Sequence, residues 1–403
     1  MQLDLNTLQV QALLGIAAAV GFAAITVIAR LRVWKRLLRI LSRRTANPKT
    51  TSRIAKAAAE TRINAMAPFA ETVSAEFLEG PDGENVSRRE FSFEDGVAQI
   101  VRLKWERRHP AFLLLGRVAD ALIYGARKQG VSPSNVATRI SLVALSPFDR
   151  LFGSFGKGSL FNFKVIVETN NRRLVKSLLG EWPNLGVGVE LEPSIKGAYF
   201  GMCSEGGTTT GIVGGYLERA SEDVGVTCAH VVSDRCKSAR YRANLRSGVN
   251  NSPDIALLTD RSPCFVKANA SNKPVGALNL NDPAQFHGRH VAKHPSNRAS
   301  GKIERTCSYA AYDDRVHRFP HVIVAPLMMR WHNIFEFTPR RFSRPGDSGS
   351  WVLTTDEHSW VGVVTGGHEG LRTTDVIEGD ALLDYISHLP GFADVTGAYV
   401  EEM

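Results

Sequence analysis

The sequence predicts a multidomain chain: an N-terminal transmembrane helix, a small α+β domain, and an all-β half closed by a C-terminal helix. Three observations carry this prediction. Residues 8–29 contain no charged side chain. From there to residue 195, strand-length apolar runs alternate with helical stretches. Beyond residue 196, short apolar runs are separated by Asn, Asp, Pro and Gly, as in a fold of many short strands.

The first element is the span. Leu8 to Ala29 is 22 residues, which as helix covers about 33 Å, enough for a hydrocarbon core of roughly 30 Å. A cleavable signal peptide would carry positive charge ahead of the apolar run, yet Met1 to Thr7 holds only Asp4. A buried Ala-rich core helix is the other reading of the stretch; an uncleaved anchor fits it best. Ten Lys or Arg and no Asp or Glu follow between Arg30 and Lys56, so this segment supplies +10 of a chain whose formal charge is +9, and the remainder sums to −1. The high pI is therefore local and is no nucleic-acid footprint. Flanking basic residues stay on the cytoplasmic side. That makes the chain a single-pass membrane protein, with residues 1–7 a short extracytoplasmic tail and everything after residue 30 in the cytoplasm. Apolar Leu31, Val33, Trp34, Leu37, Leu38 and Ile40 interleave with the charges, so residues 30–60 read equally as a helix continuing along the headgroups or as a stop-transfer flank.

Residues 61–195 form the α+β segment. Thr51 to Glu79 reads as a helix, Glu90 to Trp105 as extended, Ala111 to Lys128 as a helix and Ala137 to Leu145 as a strand. Phe161 to Glu168 reads as another strand, Arg172 to Trp182 as a helix and Gly186 to Leu191 as a last strand. The order β-α-β-β-α-β is the ferredoxin-like plan, compatible with sensing, adaptor or substrate-presenting roles.

In residues 196–403 two segments carry chemistry. Val226-Thr227-Cys228-Ala229-His230 offers a base, and Gly346-Asp347-Ser348-Gly349 a nucleophile. A serine hydroxyl needs an imidazole, of unperturbed pKa about 6.5, to take its proton. The imidazole needs a carboxylate to hold its tautomer. Flanking glycines let the chain turn so that the N–H groups of Gly346 and Ser348 converge on an oxyanion. Asp254, leading the run Ile255-Ala256-Leu257-Leu258, is the carboxylate candidate; Asp234, Asp260 and Asp282 also lie between His230 and Ser348, in turn-like or strand-exit settings.

On these residues the chain, from about Gly201 to Leu389, resembles the chymotrypsin-like (trypsin-fold) serine peptidases. Their histidine sits in a Thr-Ala-Ala-His setting, their aspartate opens an Asp-Ile-Ala-Leu-Leu type strand, and their serine sits in Gly-Asp-Ser-Gly. The order matches, with Asp254 24 residues after His230 and Ser348 a further 94 on. The resemblance implies an all-β double β-barrel of trypsin-like type with a C-terminal helix over Asp380 to Leu389, and a second barrel opening over Val291 to Ile303. It also implies a His230, Asp254, Ser348 triad, an oxyanion hole from Gly346 and Ser348, and a pocket with Phe342 at its floor and Thr365, Gly366 and Gly367 along one wall. With no acid at that floor, a small or medium apolar substrate side chain is expected; His368 and Glu369 could alter that by folding inward. No cofactor or metal is called for.

Ile212-Val213-Gly214-Gly215 imitates the new N-terminus of an activated trypsin, but it lies only 18 residues ahead of His230. Thr208 to Leu217 is expected to be an inner strand instead, which leaves the partner of Asp347 open, with Arg344 or Arg341 as candidates. Val231 stands where secreted vertebrate members have a cysteine. Five cysteines without Cys-x-x-Cys spacing argue against a disulfide framework or zinc site and suit a reducing compartment. The function expected is a membrane-anchored serine endopeptidase acting on protein or peptide substrates. The extra domain implies regulation through residues 61–195 by a partner or signal. The competing reading is a catalytically silent scaffold that binds peptides or partner proteins along a sheet edge. A third, nucleic-acid or lipid binding through residues 30–56, would show as salt-sensitive association of that segment.

Overall fold

A computed structural model of the chain describes residues 93–144, 163–180, 189–194, 198–199, 202–203, 209–210, 212–232, 236, 238–259, 272–281, 283–295, 300–327, 341–368 and 373–401. Among them no helix is long and apolar enough to cross a membrane. The expected span at 8–29, the basic segment 30–60 and the helix over 51–79 lie outside the described residues.

The first described element corrects the sequence reading. Phe93–Glu106 is a helix, α1, and not an extended stretch. Its buried residues Val97, Ala98, Val101 and Trp105 recur at helical spacing, while Phe93 and Ile100 are 59% and 64% exposed. Acidic Glu94 and Asp95 in the first turn and Lys104 in the last suit the helix dipole. The second helix, α2 (Pro110–Lys128), begins at a proline, and the His109 ring accepts the Ala111 N–H at 3.1 Å as its cap. It buries Phe112, Leu115, Val118, Leu122 and Ala126.

Strands β1 (Arg139–Ala144) and β2 (Phe163–Glu168) pair antiparallel. Helix α3 (Arg172–Gly180) then crosses to β3 (Val189–Glu192), which lies parallel to β2. With the one-turn helix Pro133–Val136 counted, the described order is α-α-α-β-β-α-β with a parallel pair, so the ferredoxin-like plan does not hold.

The short strands β4 (Ala198–Tyr199), β5 (Met202–Cys203) and β6 (Thr209–Thr210) precede the first barrel. That barrel is built from β7 (Gly215–Arg219), β8 (Val224–Thr227), β9 (Ala239–Arg242), β11 (Ala256–Thr259) and β12 (Asn272–Pro274), with β10 (Gly248–Asn250) set aside. The second comprises β13 (His290–His294), β14 (Ser300–Tyr312), β16 (His321–Pro326), β17 (Trp351–Thr354), β18 (Trp360–His368) and β19 (Thr373–Glu378), with β15 (Arg315–His317) beside it. Its path β13-β17-β18-β19-β16-β14 closes because β13 also pairs with β14. Helix α4 (Gly379–Ser387) follows, and then a strand the sequence reading missed, β20 (Val395–Glu401), which returns to the first barrel between β7 and β12.

The α+β segment is joined to the second barrel by main chain as well as side chains. β1 pairs antiparallel with β14, so β1, β2 and β3 extend the barrel's sheet outward. Buried ion pairs reinforce the joint: Arg318 reaches Asp120 of α2 at 2.6 Å, and Arg139 of β1 reaches Asp375 of β19 at 2.6 Å. Removing one partner of such a pair costs about 3–5 kcal/mol, because the other charge is left buried. At its N-terminus α1 meets the first barrel, where Asp95 accepts the Ser252 hydroxyl at 3.0 Å, two residues before Asp254.

Candidate active site

His230 and Asp254 are brought together by strand register. β8 and β11 pair antiparallel with Thr227 opposite Ala256. The 3-10 turn Ala229–Val231 that ends β8 therefore lies beside the residues that lead into β11. Ser348 arrives from the second barrel, on the tight loop before β17.

The three side chains form one hydrogen-bonded series. His230 Nδ1 lies 2.5 Å from Asp254 Oδ2, and the His230 backbone N–H donates to Asp254 Oδ1 at 3.1 Å. His230 Nε2 lies 2.9 Å from Ser348 Oγ. A carboxylate only accepts, so it takes the Nδ1 proton and leaves Nε2 as an acceptor for the serine hydroxyl. Burial of Asp254 pushes its pKa up, but the neighbouring His230 and the hydrogen bonds it receives outweigh that and hold it below the usual carboxylate range. Asp254 is therefore ionised at neutral pH. His317, close enough to feel the charge of Asp254, is pushed down to about 4 by burial and stays neutral. Asp234, Asp260 and Asp282 lie outside the described residues.

Thr365 has a role its sequence setting did not reveal. Its hydroxyl donates to Asp254 Oδ2 at 2.9 Å, and its carbonyl lies 3.1 Å from Ser348 Oγ, where it shares with His230 Nε2 the one proton of that hydroxyl. The residue expected to wall a pocket thus touches two members of the series. Phe342 is buried against Gly301 of β14. Gly366 and Gly367 pair with Tyr199 and Ala198.

The nucleophile loop is shaped by close backbone approach. Gly346 and Gly349 have φ of +95° and +91°. A Cβ on Gly349 would lie 1.9 Å from Ile212 O, so only glycine fits there. The Ile212 N–H donates to Ser348 O at 3.0 Å, and Gly214 N–H donates to Gly349 O at 3.0 Å. The Ile-Val-Gly-Gly segment thus braces the serine loop from within the chain, but Thr208 to Leu217 is not one inner strand: strands cover Thr209–Thr210 and Gly215 onward, and residues 212–214 lie in neither. The Asp347 N–H turns away to Arg344 O at 3.0 Å. Among the described residues, the Gly346 and Ser348 N–H groups have no acceptor.

The partner of Asp347 is Lys293 of β13, whose ammonium is paired with the carboxylate in a buried setting. Neither Arg344 nor Arg341 takes that part; Arg344 contributes only its backbone N–H, at 2.9 Å. A signal for this was present, because Lys293 shares a strand face with the fully buried Val291. A lysine on an inward face needs a counter-ion.

Cys228 Sγ lies with ligand atoms of His230 and Asp254 inside 4.8 Å, a spacing that could hold a metal ion. A metal ligand must be a thiolate. Burial, helped by the charge of Asp254, holds the Cys228 thiol well above its ordinary pKa, and it donates to Val364 O at 3.0 Å. These residues suit the hydrogen-bonded series better than a metal. Cys228, Cys236 and Cys307 are free thiols.

Solved structures similar to this chain are proteases. Protease A of Thermobifida fusca matches with 16% identity and a TM-score of 0.28, covering 47% of this chain and 94% of its own. An alpha-lytic protease homologue, N4, matches at 12% and 0.29, covering 46% and 92%. A chimeric murine norovirus NS6 protease matches at 12% and 0.23, covering 41% and 91%. Each spans nearly all of the other protein and under half of this one, at identities and scores too low to carry an activity across. No protein-family model and no curated protein matches the chain.

Proposed function

We propose that the chain is a serine endopeptidase in which Ser348 is the nucleophile, His230 the general base and acid, and Asp254 the group that orients His230. One observation carries the reading: the series Asp254, His230, Ser348 is hydrogen-bonded end to end, with the imidazole's accepting nitrogen on the serine. Attack of Oγ on a peptide carbonyl passes the hydroxyl proton to Nε2. The imidazolium is stabilised by the ionised Asp254 and returns the proton to the leaving amine. Water then attacks the acyl-enzyme by the same route. The amides of Gly346 and Ser348 hold the oxyanion, and Thr365 holds Asp254 in place. Phe342, Thr365, Gly366 and Gly367 line the acyl side, with a preference for small or medium apolar residues.

The uncharged residues 8–29 and the basic segment after them support a membrane anchor with the catalytic half in the cytoplasm. Residues 61–195 would carry regulation, by a partner or a signal. The hydrogen-bonded series counts against a silent scaffold.

The test is covalent labelling by a fluorophosphonate, followed by peptide mapping. The adduct is expected on Ser348, absent in Ser348→Ala and His230→Ala, and slowed by about 10⁴-fold in Asp254→Asn. An adduct elsewhere, or none in solubilised wild type at any pH from 5 to 9, overturns the reading.

A further inference from the structure

One edge of β18 is occupied in an order that bears on how the site is used. β19 lies along one side of β18, opposite Gly362 to His368. The other side begins against β17 and continues onto the serine loop, where Val364 exchanges bonds with Gly349 and Ser350 at 2.9 and 2.8 Å. Next comes Thr365, whose carbonyl lies 3.1 Å from Ser348 Oγ. Immediately beyond the nucleophile the same edge is taken by β4, antiparallel, with Tyr199 opposite Gly366 and Ala198 opposite Gly367. β4 therefore runs toward Ser348, with its Tyr199 end the nearer.

An extended peptide paired with this edge would present a carbonyl to Ser348. A strand edge offers unpaired N–H and C=O groups to any extended chain, and two glycines leave this one unobstructed. The occupant here is the protein's own main chain. In sequence it follows β3, which ends at Glu192, six positions before Ala198.

We propose that β4 is an internal blocking strand: Ala198 and Tyr199 fill the peptide-binding edge of β18 beside Ser348, and a substrate binds only after β4 leaves. This rests on the peptidase reading above. The block falls on extended peptides and not on small acylating or phosphonylating reagents, which need no strand pairing. Because β4 follows β3 so closely, anything that pulls on the α+β segment also pulls on the block.

Ala198→Pro and Tyr199→Pro, made separately in the full chain, test this, since proline removes a ladder donor and only one of two adjacent antiparallel pairs exchanges both hydrogen bonds. The fluorophosphonate labelling rate and kcat/KM for a fluorogenic tetrapeptide amide are measured together. In at least one variant kcat/KM should rise by about ten-fold or more, as expected when an edge free in a tenth of molecules or fewer becomes free in most. Labelling should stay within about two-fold. Labelling together with peptide turnover by wild type that neither variant raises overturns the block and leaves the peptidase reading standing. No labelling in wild type or variants overturns both. Should proline disrupt folding, hydrogen exchange of wild type decides: binding of a tetrapeptide aldehyde should speed exchange at Ala198 and Tyr199, and unchanged protection there refutes the proposal.

Discussion

Replacing Lys293 by Met would test how the serine loop is held. Lys293 and Asp347 are paired with side chains only 8% and 11% exposed, so solvent and salt screen the pair little. With the ammonium gone, Asp347 keeps the Arg344 N–H as its donor among the described residues and is left as a buried carboxylate. Breaking a buried pair from one side costs about 3–5 kcal/mol. In a domain of this size that lowers the Tm by roughly 5–10 °C. Asp347 lies between the two amides assigned to the oxyanion, so the same change should misplace at least one of them. Losing one such donor costs about 10²–10³ in rate. The assays are thermal unfolding and fluorophosphonate labelling of Ser348. The double variant Lys293→Met, Asp347→Leu should recover most of the stability, since an apolar pair replaces a buried ion pair at little cost. A single variant that labels within about two-fold of wild type with an unchanged Tm would refute the claim that Lys293 sets this loop.

Thr365→Val removes the hydroxyl that donates to Asp254 Oδ2 while keeping the shape, and a hydrogen bond to a charged group contributes about 1.5–3 kcal/mol, so labelling should slow by roughly 10–100-fold without loss of folding. Gly349→Ala forces a Cβ to within 1.9 Å of Ile212 O at a φ of +91°, and the urea midpoint should report a loss of about 2–5 kcal/mol; a loss under about 1 kcal/mol would contradict the packing described. Glu378, the cap of α4, is raised to about 8 by burial and by Asp380, against an ordinary value of 4.5. Between those values the folded chain holds a proton the unfolded chain has lost, so its contribution is full below about 4.5 and fades as pH rises through about 8, by about 1.4 kcal/mol per unit. Glu378→Gln should flatten the fall in Tm over that range, and parallel curves for variant and wild type would refute it.

The site was legible in the sequence where chemistry demands particular residue types in tight local settings. His230 after an apolar strand, Asp254 leading one and Ser348 between glycines each carry their own signature, and the structure brings them together. Helix α2 was readable because a long amphipathic run opens at Pro110. Helix α1 was not, since it exposes Phe93 and Ile100, blurring the helical period against an extended one. The pairing of β1 with β14 joins residues more than 160 apart, for example Arg139 with Ala310, and nothing local encodes it. The same is true of β20, which follows the helix where the resemblance ends. β4 leaves no signal in the sequence, because two residues carry no periodicity. Thr365 and Lys293 act through partners distant in sequence, and only the inward-facing lysine left a trace.

The central claim is peptide-bond hydrolysis by Ser348, and the measurement that tests it most directly is a search for new termini. A mixed peptide pool is incubated with the full chain and with Ser348→Ala, and products are sequenced by mass spectrometry. The account predicts cleavages by wild type alone, clustered after small or medium apolar residues. Cleavage that persists in Ser348→Ala, or a chain that takes the fluorophosphonate yet cuts no peptide as wild type, Ala198→Pro or Tyr199→Pro, would contradict it.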